Sequence, residues 1–352
     1  MHFARVTMAA AGAAFALGLG LAPAQAAPGI PKQQQAVVQH GSGGPEVLKL
    51  ESIPVLEPAS GQVLIRVYAA SVNPADWSAL GQAPAAGAPA NRVPGLDVAG
   101  VIVAVGPDVT DRKPGMAVFA LVDHSASGLN GAYEQYSIAR ASATAPKPRN
   151  VSYAEAAGLG VVGVTALRAL DAAGVQTGQR VLITGVAGGV GSIAAQMAVA
   201  RGAIVLGTAS PRHEEFVRGL GVTKFIDYTK GDVAAQARQT DAVIDTVGGS
   251  EAVDAFHTVK SGGHFVSIAR ADLKPEQCTA AQVQCSGSPG HAADAPVAVV
   301  LQVAQLAGQG KLKVHVDRSF PLGSAADALQ FVHQGHTEGK VILAVTPRAT
   351  QR

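Results

Sequence analysis

The chain is 352 residues long, with 27 Lys and Arg against 25 Asp and Glu, a formal net charge of +2, and only 15 % charged residues. So small a charge, with no basic run interleaved with aromatics, argues against nucleic acid as a partner and leaves small-molecule chemistry. The length suits two domains of ordinary size, and two cysteines, Cys278 and Cys285, with only His291 nearby, do not make a tetrahedral metal site.

Arg5 precedes an apolar segment from Met8 to Leu21, and Ala24-Gln25-Ala26 presents small residues at the alternating positions that a signal peptidase reads. The segment is shorter than the roughly 18 residues of a membrane span and holds Gly12, Gly18 and Gly20; it runs into Pro23 rather than a basic stop signal. The pattern predicts a signal peptide over 1–26, cleavage near Ala26, and an exported, periplasmic or secreted chain that keeps no stable membrane span. An uncleaved anchor is the alternative. No twin-arginine pair is present, which favours the general secretory route.

Gln33 to Gln35, after Pro31, read as a short flexible lead into the first strand. From Ala36 to about Ala145, short apolar or alternating runs separated by Gly and Pro, among them Val63 to Val67, Val98 to Val105, Ala117 to Leu121 and Tyr133 to Ile138, predict antiparallel strands. From Tyr153 onward helical stretches alternate with apolar runs, including Phe225 to Asp227, Ala242 to Asp245 and Phe265 to Ile268. The last is preceded by a Lys260-Ser261-Gly262-Gly263 turn. Such alternation predicts a parallel sheet covered by helices. From Leu312 the pattern returns to a strand-like run, a helix over Ala325 to His333 and a strand Val341 to Val345.

The most informative stretch lies inside the alternating region. An apolar run, Val181 to Thr184, leads into Gly185-Val186-Ala187-Gly188-Gly189-Val190-Gly191, then a helical pattern to Arg201 and a second apolar run from Ile204. Strand, glycine turn, helix and strand within about 30 residues form a phosphate cradle: glycine lets the backbone approach a pyrophosphate, and the helix start offers unpaired N–H groups and a positive dipole end. The ligand implied is a dinucleotide, against an ordinary structural turn. At the end of the second strand no acid stands ready for a ribose 2′-hydroxyl. Thr208-Ala209-Ser210-Pro211-Arg212-His213 instead offers a hydroxyl and a guanidinium suited to a 2′-phosphate, so NADP is the expected cofactor. The competing reading has Ser210 merely capping a helix that starts at Pro211, with Glu214 and Glu215 answering its dipole. In an oxidising compartment Cys278 and Cys285 are expected to be bonded.

Several segments then resemble the zinc-free quinone oxidoreductase branch of the medium-chain dehydrogenase/reductase superfamily, over about Val37 to Val345. They are Ser71-Val72-Asn73-Pro74-Ala75-Asp76, Pro94-Gly95-Leu96-Asp97-Val98-Ala99-Gly100, Gly163-Val164-Thr165-Ala166, the glycine loop, Asp245-Thr246-Val247-Gly248-Gly249, and Gly335-His336-Thr337-Glu338-Gly339-Lys340. The resemblance implies an α/β fold in which a Rossmann doubly wound parallel sheet is inserted in a GroES-like β-barrel catalytic domain. After the leader at 1–26, the first catalytic part would span 27–160, the Rossmann domain 161–298 and the return 299–352, with the active site in the cleft between domains. Zinc-using relatives carry a cysteine in the segment matching Ala70 to Asp76, a Gly-His-Glu in place of Gly95-Leu96-Asp97, and a four-cysteine lobe; this chain has none of these. Reduction without a metal is therefore implied, and alcohol oxidation is disfavoured because nothing would stabilise an alkoxide.

By the same resemblance Asn73, Asp76 and Thr165 would face the reacting end. Gly185, Gly188, Gly189, Val190, Gly191, Ser210, Arg212, Tyr228, Val247, Ser267 and Ile268 would hold NADP. For Asn73-Pro74 the bland alternative is a simple turn, and for Tyr228 a core tyrosine. The implied reaction moves hydride from NADPH to a quinone or other conjugated acceptor. An enoyl-thioester reductase of the same fold, a non-catalytic NADPH sensor and a homodimeric state stay open. No residue is identifiable from the sequence as the general acid.

Overall fold

The computed structural model describes residues 29–82, 91–124, 129–231, 233–335, 337–347, 349 and 351. The expected leader, over 1–26, and His336 lie outside them. Residues Lys32–Arg352 form one compact unit.

Its first part is β1 (Gln33–His40), β2 (Leu48–Pro54), β3 (Gln62–Val72), α1 (Pro74–Leu80), β4 (Asn91–Arg92), β5 (Asp97–Val105), β6 (Ala117–Val122) and β7 (Tyr136–Pro146). β3 pairs antiparallel with both β5 and β7, and β6 with both β5 and β7, so these four strands close on themselves. β-branched and small residues fill the inside: Val63, Ile65, Val67, Val98, Ile102, Val118 and Ala120 are all buried in one cluster. The flexible lead expected at Gln33 to Gln35 is instead the start of β1. Gln34 is buried, its amide donates to Glu134 Oε2 (2.9 Å) and its oxygen accepts from the Tyr136 N–H (2.6 Å). A polar side chain with fixed partners orders the segment that composition alone leaves open. Tyr133 precedes β7 rather than lying on it.

Two helices, α2 (Tyr153–Ala157) and α3 (Gly160–Ala172), lead into β8 (Arg180–Ile183), α4 (Gly189–Ala200), β9 (Ile204–Ala209), α5 (Glu214–Gly219), β10 (Lys224–Asp227), α6 (Val233–Gln236), β11 (Thr240–Asp245), α7 (Gly249–Phe256), β12 (Val259–Ser267), α8 (Pro275–Ala281) and β13 (Gln284–Ser286). Their strands form a parallel sheet in the order β10-β9-β8-β11-β12-β13. Alternate residues serve opposite faces: Val181, Ile183, Val205 and Ile244 pack in one cluster, and Leu182, Leu206, Ile226 and Val243 in another. Chain order reverses between β8 and β11, which is the switch point where ligands bind outside the carboxyl ends of the strands. The turn expected at Lys260 to Gly263 is part of β12; Gly262 supplies a positive φ of 78° there and its N–H donates to Gln282 O. Cys278 on α8 and Cys285 on β13 are bonded to each other.

The chain closes with α9 (Val297–Gly308), β14 (Val316–Pro321), α10 (Ala325–His333) and β15 (Lys340–Ala344). β15 pairs antiparallel with β3, Val341 opposite Val72, and so returns the C-terminal segment to the first sheet. On the way Gly339 donates its N–H to Ala187 O (2.8 Å), tying the glycine loop to the start of β15. Among the described residues no helix is long and apolar enough to cross a membrane.

Candidate active site

A cleft of about 1260 Å³ runs from the carboxyl ends of β8, β9 and β11 to the ends of β3 and β15. Its floor on one side is the glycine loop, where Gly185, Gly188, Gly189 and Val190 all line the cavity. Gly185 has φ 57°, and a Cβ on it would stand 2.7 Å from Thr246 Oγ1. Gly191 does not line the cleft. A Cβ there would meet the Gly185 carbonyl oxygen at 2.3 Å, so this glycine lets α4 pack onto the turn. The first N–H groups of α4 have no carbonyl ahead of them in the helix, which makes the loop a cradle for an anion.

At the far end of β9, Ser210 lines the cleft beside His213 and Tyr228, and its Oγ is buried without a hydrogen-bond partner among the described residues. An unsatisfied buried hydroxyl is costly, and a ligand oxygen would relieve it. Ser210 makes no side-chain cap on the 3₁₀ turn Pro211–His213 that follows, so the capping reading does not describe its hydroxyl. Arg212 departs from expectation: it is exposed and does not line the cleft, and its Nε donates to His213 Nε2 (3.0 Å). Because guanidinium only donates, His213 Nδ1 carries the ring proton and donates to Glu338 Oε1 (2.8 Å). Val247 and Ile268 line the cavity. Ser267 lies beneath it, buried, with Oγ donating to Asp245 Oδ2 (2.6 Å), while Thr184 Oγ1 donates to Asp245 Oδ1 (2.7 Å); this buried carboxylate fixes the strand ends instead of facing a ligand.

Toward β3 the cleft is walled by Val72, Asn73, Pro74, Leu96, Leu121 and Thr165, with Lys340 at the junction of the two ends. Asn73 precedes α1, and Asp76 in the first turn accepts the Asn73 backbone N–H (2.8 Å), which closes the Asn-Pro turn and frees the Asn73 amide for other work. That amide donates to Asp97 Oδ2 (2.9 Å) and accepts from Lys340 Nζ (2.7 Å). Lys340 also donates to Val72 O (2.9 Å), and Asp97 Oδ1 accepts from Val161 N–H at the start of α3 (2.6 Å). Asp76 is the second departure: it does not reach the cleft, and its Oδ2 also accepts from Tyr133 OH (2.8 Å).

Burial raises the Asp76 carboxyl to about 7, against the opposing hydrogen bonds from Asn73 and Tyr133. Burial likewise raises Asp97, opposed chiefly by the Lys340 charge, and lowers Lys340, opposed by the charges of Asp97 and Asp76. Sequence reasoning missed Lys340, Asp97 as a polar partner, and His213. The available signal for Lys340 was a lone cation opening the apolar run Lys340-Val341-Ile342-Leu343-Ala344. A loop over Ser288 to Asp294 covers the outer end, held by Arg140 Nη2 to Ala293 O (2.6 Å) and to Asp294 Oδ1 (3.0 Å), and by Arg168 to Pro289 O. Among the described residues no three His, Cys, Asp or Glu converge as a metal set would.

A doubly wound sheet with a glycine cradle at its switch point, sharing a cleft with an antiparallel sheet whose β3, β5, β6 and β7 pair in a ring, is the layout of a dinucleotide-dependent oxidoreductase. Residues 59–149 match the alcohol dehydrogenase GroES-like domain family, and residues 220–343 the zinc-binding dehydrogenase family. The NADPH-dependent alkenal/one oxidoreductase of Arabidopsis thaliana chloroplasts is 36 % identical over 327 residues, 90 % of this chain and 81 % of that one. The solved quinone oxidoreductase of Coxiella burnetii superposes with a TM-score of 0.80 at 29 % identity, over 90 % of this chain and 100 % of that one. A mycobacterial protein solved with NADPH superposes with a TM-score of 0.78 at 26 % identity, over 88 % and 99 %. The chain belongs to the medium-chain dehydrogenase/reductase superfamily, in its NADPH quinone oxidoreductase-like branch.

Proposed function

We propose that the protein reduces quinones or other conjugated carbonyl compounds with hydride from NADPH, and that it does so without zinc. The observation that carries this reading is the single cleft that joins the glycine cradle and the unpartnered Ser210 hydroxyl at one end to an apolar acceptor wall at the other. When bound, the reduced nicotinamide supplies the hydride. The residues present fit such a cofactor. Gly185, Gly188, Gly189, Val190 and Gly191 would hold its pyrophosphate. Ser210 and Tyr228 would meet the adenosine end, with Arg212 turning from His213 to the 2′-phosphate, and Val247 and Ile268 would lie along its length. Ser267 would support this surface from below. Thr165 and Asn73 would face the reacting end, and Asp76 would hold Asn73 in place.

Metal independence is supported by chemistry at the point where zinc-using relatives bring two ligand segments together. Here those segments meet through the Asn73–Asp97 hydrogen bond, and the Lys340 ammonium already stands against Asn73. A divalent cation beside that ammonium would be repelled. Purified protein dialysed against chelator is tested anaerobically with NADPH against quinones, enones and enoyl thioesters. Chelator-insensitive turnover of quinones or enones is expected. NADPH binding without oxidation by any acceptor would identify a sensor, and turnover confined to enoyl thioesters an enzyme of that other class.

We further propose export after cleavage near Ala26, a reading supported by the Cys278–Cys285 bond, since such bonds persist in oxidising compartments. A homodimer is supported by the edge position of β13 and by the exposed Val297 and Leu301, one turn apart on α9. Light scattering on the purified protein tests it: a monomer mass would refute it.

A further inference from the structure

We infer that Lys340 is a catalytic residue of this reaction, its ammonium donating to the acceptor's carbonyl oxygen and delivering the proton that follows the hydride. The inference rests on the proposed reduction. Lys340 is 4 % exposed and lines the cleft. Two of its three N–H bonds are used, toward Val72 O and Asn73 Oδ1, so one donor remains among the described residues. The stem is fixed along its length: a Cβ on Gly189 would lie 2.9 Å from Lys340 Cδ, a Cβ on Gly158 would lie 3.3 Å from its Cγ, and the Lys340 N–H donates to His315 O. The side chain therefore runs from the cofactor cradle to the end of β3, where both reaction partners must meet.

The arrangement differs from that of a structural ion pair. A buried cation kept only for stability is served best by direct contact with its counter-ion. Among the described residues Lys340 makes no ion pair within 4.0 Å; instead the Asn73 amide stands between Lys340 and Asp97, bonded to both. The carboxylate is felt across the amide without capturing a donor. The charged and titratable groups facing Lys340 are Asp97 on β5 and Asp76 on α1, the latter bonded to Tyr133. Burial makes the ammonium more acidic than an ordinary lysine, which favours proton release.

In the step itself the acceptor takes the hydride at its electrophilic carbon, and a π pair moves onto the carbonyl oxygen. The Nζ–H bond breaks as an O–H bond forms, giving the enol of the reduced acceptor, which for a quinone tautomerises through solvent to hydroquinone and for an enone to the saturated ketone. The neutral amine then takes a proton from water, so one hydride and one solvent proton are consumed per turnover.

Two measurements test this. Nitrophenols that compete with the acceptor report by absorbance whether they bind as phenolate. In the wild-type protein the apparent pKa of bound nitrophenol is expected to fall by about one unit or more below its value in water, and in Lys340→Met to lose that fall. In steady state, Lys340→Met should lower kcat about a hundredfold or more with the NADPH KM little changed, and should lose the alkaline fall that wild type shows as the ammonium deprotonates. Should the variant fail to fold, the wild-type nitrophenol titration decides alone. An unshifted nitrophenol pKa, or kcat within about threefold of wild type with the alkaline limb intact, overturns the role of Lys340. Absence of any wild-type turnover overturns the proposed reduction instead, and is seen before the variant is made.

Discussion

Asp76 gives the prediction whose magnitude follows most directly from the structure. Burial raises its carboxyl from 3.8 to about 7. At about 1.4 kcal/mol per pH unit the difference between unfolded and folded chain is about 4 kcal/mol. An acid with a higher pKa in the folded state binds its proton more tightly when folded. Its contribution is therefore fully present below pH 3.8 and is lost as pH rises through about 7. Asp76→Asn cannot ionise, yet its amide oxygen can still accept from the Asn73 N–H and Tyr133 OH. Urea unfolding of both proteins from about pH 4 to about pH 9 should show the variant gaining on wild type by about 4 kcal/mol across the range. Glu134, buried and raised in the same direction, affects both curves alike and drops out of the difference. Parallel curves would refute the reasoning, because an ordinary, solvated carboxyl at position 76 would leave the difference flat.

Ser210→Asp should reverse the preference for NADPH over NADH by placing a carboxylate where the 2′-phosphate would sit, and Arg212→Ala should weaken NADPH binding about ten- to a hundredfold while leaving NADH nearly unchanged; fluorescence titration of both cofactors reads this, and equal losses would withdraw the phosphate site. Replacing Cys278 and Cys285 by Ser opens a loop closed at a sequence separation of 7 and should cost about 2.5 kcal/mol, seen as a lower urea midpoint. Intact-mass analysis of envelope-derived protein should find a mature chain beginning near Ala27, and a full-length cytoplasmic product would overturn the export proposal.

The fold was largely legible because its signals are local. A strand, a glycine turn and a helix follow one another within about 30 residues, and Gly185, Gly189 and Gly191 there each answer a contact closer than a Cβ tolerates. Three departures share one cause, which is that a polar side chain's partner lies far away in sequence. Gln34 finds Glu134 and Tyr136, Asp76 finds Tyr133, and Lys340 finds Asn73; only the closed β3-β5-β6-β7 ring and the return of β15 onto β3 bring them together. The place of Arg212 after β9 points to a phosphate ligand, and the structure sets its neighbour His213 along the cleft while Arg212 lies exposed beside it. The register of one residue decides which of the two faces the cleft, and the 3₁₀ turn that sets it carries no periodic signal.

The central claim, direct hydride delivery from NADPH to a conjugated acceptor, is tested most directly with NADPH deuterated at C4 of the nicotinamide and an α,β-unsaturated ketone, under single-turnover conditions. The product should carry one deuterium at the β-carbon, from one face of the dihydronicotinamide only, and one solvent hydrogen at the α-carbon. Oxidised cofactor with an unlabelled product from both C4 epimers of the deuterated cofactor, or label appearing in solvent, would contradict it.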